Sequence, residues 1–324
     1  MFSEKGRAIW FLALLSPITV ELLSGSSPPI EFFHPFGFLL LLGMYGAGVL
    51  LIRELTVIWR KGWATTIVLG FAYAVAEEGV AVKSFFDPGW ADLGALSEFG
   101  RFAEVNWIWA TWLSIFHSMI SICLPILIFN LWYPHLREER ILVPRRFKLV
   151  GAIYLIDLAF AAIVFVSIQD YYPPPLQYVA SILMTIIFVL IAREFPIDLV
   201  SARHELPTWS PWRFIAFGFT LILLDFIIAS SALSAMPAIV AIVTILMVNA
   251  AALLLLQHKL GRCQNSLHKA NLALGFVLFF IVLAPIHEVS DGMIGMSVVG
   301  VCYLMFMIAL IKKVRPRVES VNPF

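Results

Sequence analysis

Two adjacent glutamates, Glu77 and Glu78, stand inside one apolar run of the chain, and a histidine, His117, stands inside the next. A charge at the bilayer centre costs at least about 2.5–3.5 kcal/mol on insertion scales, so each such residue needs a partner or a task. Two ionised carboxylates on one span repel, so the pair either keeps a proton or shares a cation or a catalytic water. Imidazole exchanges protons near neutral pH. A carboxylate beside it is the pairing that general acid–base chemistry uses. A second histidine, His287, lies in the polar stretch Pro285–Gly292 with Glu288 and Asp291. His287 and Asp291 are one turn apart if that stretch is helical. We take Glu77, Glu78, His117 and His287 as the candidate catalytic residues.

Supporting candidates follow from spacing. Asn106, Ser114, His117 and Ser121 fall on one helical face. Glu21 closes the first apolar run, just before Ser24-Gly25-Ser26-Ser27-Pro28-Pro29. Those residues break a helix, and irregular backbone at membrane depth is tolerated only beside protein or a cavity. The same composition also suits an ordinary outer turn. Glu21, Asn106, Ser114, Glu288 and Asp291 are therefore the supporting set.

The elements that must position these groups are membrane spans. Of 324 residues, 61% are hydrophobic and only 13% charged, against about 25% charge in a soluble domain. A span needs roughly 20 apolar residues. The candidate runs are 8–23, 36–59, 63–82, 105–132, 149–168, 176–195, 212–231, 236–256, 270–286 and 293–312. Alternate connections carry the basic residues, as in Arg137/Arg140/Arg145/Arg146/Lys148 and Lys312/Lys313/Arg315/Arg317, whereas the others hold only Lys83 and Arg101. Lys and Arg stay in cytoplasmic loops. The expectation is an all-α polytopic bundle of about ten spans, residues 1–324 forming one integral membrane domain. Both termini are cytoplasmic, in a prokaryotic plasma membrane. The longest outer segment, 83–104, is expected as a lid-like element. The net charge of +1 and the lack of a basic aromatic patch argue against nucleic acid as a partner. The lipid bilayer is the expected surrounding.

At 1.5 Å per residue, Glu21 and Glu77 both rise about 20 Å towards the outer side, and His117 descends roughly 18 Å from it. The three are expected to converge on one cavity. Arg53-Glu54 is read as a structural ion pair between helices, and Asp157 and Asp225 as packing hydrogen bonds. Cys123, Cys263 and Cys302 have neither zinc-site nor disulfide spacing and are expected in the core. Tryptophans and tyrosines such as Trp59, Trp63, Tyr171 and Tyr172 mark the interfacial belt.

With a glutamate pair in one span, a histidine in the next and another near a later span, the chain resembles the CPBP family (CAAX-prenyl and bacteriocin-processing proteases) and the related PrsW-type proteases. Against the pattern EExxxR, FxxxH and HxxxN, it has Glu77-Glu78 with Lys83 one place late, and Leu113-Ser114-Ile115-Phe116-His117 with leucine in place of the first phenylalanine. It also has His287-Glu288-Val289-Ser290-Asp291, closer to the HxxxD of PrsW, and Gly70-Phe71-Ala72 leading into Glu77. The resemblance implies a glutamate-activated water that attacks a peptide bond within the bilayer. Glu77 or Glu78 would be the base, His117 would orient the water and His287 would help hold the oxyanion.

Three functions stay open at this point. One is an intramembrane hydrolase acting on a membrane-embedded peptide or small molecule. A second is a proton-coupled secondary transporter using Glu21, Glu77, Glu78 and His117 as a relay, although the chain has no inverted repeat. The third is a non-catalytic scaffold. Metal binding by Glu77, Glu78, His117 and His287 is a variant of the first two. No HExxH-like pair is present, and the sequence specifies neither metal nor cofactor.

Overall fold

The computed structural model describes residues 3–196, 209–260 and 265–319. Cys263 and parts of the connections 196–211 and 257–269 lie outside them. The chain is an all-α polytopic bundle. Its long helices are α1 Glu4–Pro17, continued by a π-helical turn Ile18–Leu22, α2 Pro35–Ile58, α3 Trp63–Ala81, α4 Trp107–Trp132, α5 Pro144–Gln169 and α6 Pro175–Glu194. They continue with α7 Pro211–Ala235, α8 Ala238–Leu260, α9 Ser266–Ser290 and α10 Met296–Glu319. Among the described residues nine of these are long and apolar enough to cross a membrane. The exception is the first helix, which carries Glu4, Lys5, Arg7 and Glu21. It is nonetheless buried along Ala8, Leu12 and Leu15 by its neighbours.

α3 and α4 form the centre. Of their most apolar windows, 78% and 72% is buried, against 6% and 11% in α5 and α6, which face outward. Two devices bring the central helices together. At Gly70 on α3 a Cβ would stand 2.6 Å from Ser118 Oγ on α4, so only glycine permits this approach. On α4, Pro125 has no N–H to offer the Ser121 carbonyl. The Ser16 hydroxyl of α1 donates to that orphan carbonyl at 2.7 Å, which ties α1 to the same level. On the opposite side α7 and α9 touch backbone to backbone. A Cβ on Gly275 would meet the Ile215 carbonyl oxygen at 2.4 Å.

Several expectations are corrected. α9 runs through Pro285 to Ser290, so His287 and Glu288 occupy its last turn and not a connection. The tolerated proline reflects a bundle in which neighbours re-satisfy freed backbone groups. Cys123 is buried, but Cys302 is exposed on the outward side of α10. Arg53-Glu54 is a buried ion pair joining a helix to a loop. Arg53 donates to the Leu136 carbonyl, and Glu54 accepts from the Ile141 and Leu142 amides at 3.0 and 3.3 Å. Asp225 accepts from Asn249 at 2.8 Å across α7 and α8, whereas Asp157 Oδ2 is buried without a hydrogen-bond partner.

The segment 83–104 contains a 3-10 turn, Ala91–Leu96, and a two-stranded ribbon, β1 Arg101–Phe102 with β2 Val105–Asn106. Phe85 and Phe86 anchor it in the core. Trp90, Leu93 and Leu96 line the internal cavity.

Candidate functional site

Among the described residues four π-helical segments interrupt the helices: Ile18–Leu22, Leu42–Gly46, Val75–Ala81 and His117–Cys123. Each carries a residue of one polar cluster: Glu21, Tyr45, the Glu77/Glu78 pair, and His117 with Ser121. Wide turns of this kind shift side-chain phase and gather at functional sites. The i→i+5 bonds are explicit, Leu23 N to Ile18 O at 3.0 Å and Val82 N to Glu77 O at 2.8 Å.

At the centre lies the His117 imidazole, only 3% exposed. Its Nε2 is 2.9 Å from Glu78 Oε1. Its Nδ1 is 2.9 Å from Ser121 Oγ and 3.2 Å from Glu77 Oε2. That last contact is close but not aligned as a hydrogen bond, and Glu77 Oε2 remains buried without a donor. The Ser84 hydroxyl donates to Glu78 Oε2 and in turn accepts from Trp109 Nε1 at 3.0 Å. Tyr45 and Tyr73 flank the imidazole, with ring centroids 6.2 and 6.3 Å away. Tyr45 donates to Glu21 Oε1 at 2.5 Å, and Ser27 donates to Glu21 Oε2 at 2.7 Å.

These groups form one wall of a cavity of about 880 Å³. The facing wall is apolar, built from Leu221, Ile222, Phe276, Phe279, Phe280 and Leu283, with Asp225 and Asn249 as its polar spot. Among the described residues that line the cavity there is no Lys or Arg. Asp92, in the 83–104 segment, also lines it. Burial pushes the Asp92 carboxyl up against the lowering effect of its Trp90 hydrogen bond.

The structure thus places Glu77, Glu78 and His117 together, with Glu21 reached through Tyr45. His287 lines the same cavity, but its Nδ1 is engaged by Asp291 at 2.7 Å, and no hydrogen bond or ion pair joins it to the cluster. The hydrogen bonds from His287 and Ser290 hold Asp291 below the usual carboxylate range. Glu288 caps the start of α10, accepting from the Gly295 and Ser297 amides at 3.3 and 2.7 Å. Asn106 caps α4 through the Trp109 amide and donates to the Leu96 carbonyl. It and Ser114 are absent from the cavity lining. The expected stripe fails although the helix is regular from Trp107 to Phe116: the preceding turns line the cavity through Trp109, Trp112, Leu113 and Phe116 instead. Lys83 does not stand beside the glutamates either. It donates to the Ala81 and Ala162 carbonyls at 2.8 and 2.5 Å, and burial pulls its ammonium down to about 8.

Sequence reasoning missed Tyr45, Tyr73, Ser84 and Trp109. Tyrosine normally sits in the interfacial belt. Tyr45 and Tyr73 lie deep inside apolar runs, and that placement was the available signal.

A family model described as an uncharacterized membrane protein family matches residues 10–315. No curated protein and no solved structure matches the chain.

Proposed function

The chain belongs to that uncharacterized membrane protein family, and we propose that within the bilayer it is a hydrolase whose Glu77–Glu78–His117 cluster activates water. The observation that carries this reading is the unpartnered Glu77 Oε2, buried beside the His117–Glu78 pair in the wall of a cavity. A water at that oxygen meets a proton acceptor, and the neighbouring imidazole orients it or donates to a developing oxyanion. The apolar facing wall suits a membrane-embedded peptide or another amphiphile. The cavity's lack of Lys and Arg disfavours an anionic substrate. The CPBP/PrsW-like spacing supports the same chemistry, with Glu77 or Glu78 as base, His117 as the water-orienting residue and His287 as a candidate further along the cavity. We place both termini in the cytoplasm of a prokaryotic plasma membrane on the strength of the basic loops.

The test is comparative proteomics of intact membranes from cells carrying wild type, Glu77→Gln or Glu78→Gln. A membrane-embedded precursor should accumulate in the variants while their folded membrane level is unchanged. Absence of any such precursor removes the hydrolase. A proton-coupled carrier is the second reading, favoured by the carboxylates of Glu21, Glu77, Glu78 and Asp225 around one chamber. It requires pH-dependent flux in proteoliposomes that Glu77→Gln abolishes.

A further inference from the structure

We propose that the cavity binds a small amphiphile with one cationic group, an ammonium or guanidinium on an apolar chain, and that Asp225 receives the cation. The inference names a substrate class for the hydrolase reading and rests on that reading for turnover, whereas binding is measured without turnover.

Asp225 is the first ground. It lies on α7, in the apolar wall facing the glutamate and histidine cluster. Both of its oxygens accept from one nitrogen, Asn249 Nδ2, at 2.8 and 3.0 Å. The same nitrogen donates to the Ile245 carbonyl at 3.0 Å. A side-chain amide carries two hydrogens, so the two carboxylate oxygens share one of them. A carboxylate has about four acceptor sites, and most of those on Asp225 stay unused although the residue is 5% exposed. The acids of the opposite wall are already engaged. Glu21 and Glu78 each have both oxygens hydrogen-bonded, and Glu77 adjoins the imidazole at 3.2 Å.

Charge is the second ground. Glu21, Glu31, Glu77, Glu78, Asp92 and Asp225 line the cavity, and its basic groups among the described residues are His117 and His287. A cleft of one sign between apolar walls concentrates ligands of the opposite sign. Glu77 Oε2, buried without a donor, adds to the deficit of positive charge.

Shape is the third. Phe214 meets His268 and Phe226 meets Phe279, with ring centroids 5.3 and 5.7 Å apart, so α7 and α9 run side by side in the same direction. From Phe276 to Leu283 the α9 wall rises about 10 Å, the reach of an octyl chain, and Asp225 stands within that length beside Phe279. An ammonium paired with Asp225 can therefore lay its chain along the phenylalanines. A cavity of about 880 Å³ is the size that takes a small molecule.

The experiment is calorimetric titration of the full chain in phosphatidylcholine nanodiscs, with empty nanodiscs subtracted. The probes are octylammonium, octan-1-ol and octanoate, which share a chain and differ in charge. One octylammonium should bind per protein, and the alcohol and the carboxylate should bind at least about 10-fold more weakly. Asp225→Asn should weaken octylammonium at least about 10-fold, as loss of a buried charge partner does. Asp157→Asn, which alters a carboxyl absent from the cavity lining, should leave binding unchanged. The order of the three probes on wild-type protein keeps the test decisive if Asp225→Asn fails to fold. The proposal is overturned by no saturable octylammonium binding, by an alcohol or carboxylate that binds as tightly, by unchanged affinity in Asp225→Asn, or by equal loss in Asp157→Asn. Octylammonium binding without any precursor accumulating in the glutamine variants removes the hydrolase and leaves the cation pocket. Precursor accumulation without octylammonium binding removes the cationic class and leaves the hydrolase.

Discussion

Glu78 Oε1 lies 2.9 Å from His117 Nε2, although the two residues are 39 positions apart on different helices. The contact exists because Gly70 lets α3 meet α4 and because both helices widen into π turns where these residues stand. The other oxygen of Glu78 is taken by Ser84, so this carboxylate fixes both the imidazole and the start of the 83–104 segment.

Glu78→Ala should therefore be severely destabilising. Removing one member of a buried charged pair costs about 3–5 kcal/mol. Glu78→Gln keeps a hydrogen-bonding shape and should lose much less. Thermal unfolding in detergent, followed by size-exclusion fluorescence, measures the difference. Equal losses for both variants would show that charge, and not the bond geometry, is what matters.

Gly70→Ala should push α3 off α4. Its new Cβ meets Ser118 Oγ at 2.6 Å and Ser118 Cα at 2.7 Å, and the backbone contact cannot rotate away. Overpacking of this kind costs about 1–3 kcal/mol. The expected result is a lowered melting temperature.

Arg53→Met should lower the folded yield sharply. It leaves Glu54 buried with only the longer Arg140 ion pair at 3.7 Å and the Leu136 carbonyl without its Arg53 donor. The expected loss is about 3–5 kcal/mol. Arg53→Met/Glu54→Leu should recover part of it, since an apolar pair can replace a buried ion pair. A double variant no better than the single one would contradict that account.

Lys83 predicts a pH dependence. Burial lowers its folded pKa from 10.5 to about 8. Between those values the unfolded chain binds the proton and the folded chain does not, so stability rises as pH increases from about 8 towards 10.5. Below about 8 the penalty is constant. Lys83→Met should flatten the rise, which melting curves across that window would record. A wild-type curve that falls across it would contradict the assignment.

Much of the architecture was legible in the residue order. Long apolar runs separated by basic connections are sufficient to specify spanning helices, because a bilayer forces backbone hydrogen bonds to close within each helix. The first helix was read from its apolar run 8–23 as one of ten spans, but it is not among the nine helices long and apolar enough to cross a membrane. The glutamate pair and His117 were also readable, because ionisable groups inside apolar runs stand out against the cost of placing them there.

What tertiary structure decided was which groups meet. Helical phase at 3.6 residues per turn placed Asn106, Ser114 and His117 on one stripe, but of the three only His117 lines the cavity. Asn106 became a helix cap and Glu288 the cap of the next helix, while Tyr45, Ser84 and Trp109 entered the cluster. These last three are neutral types whose roles depend only on the neighbours they meet. Lys83 shows the same division. Its charge and position suggested a partner for the glutamates, yet the chain turns left-handed there (φ 71°) and sends the ammonium to the Ala162 carbonyl of α5. Sequence determines how many charges must be accommodated inside the membrane, because that cost is carried by each residue alone. Distances between helices determine which charges share a site, because that depends on close packing at single glycines and on where each helix widens.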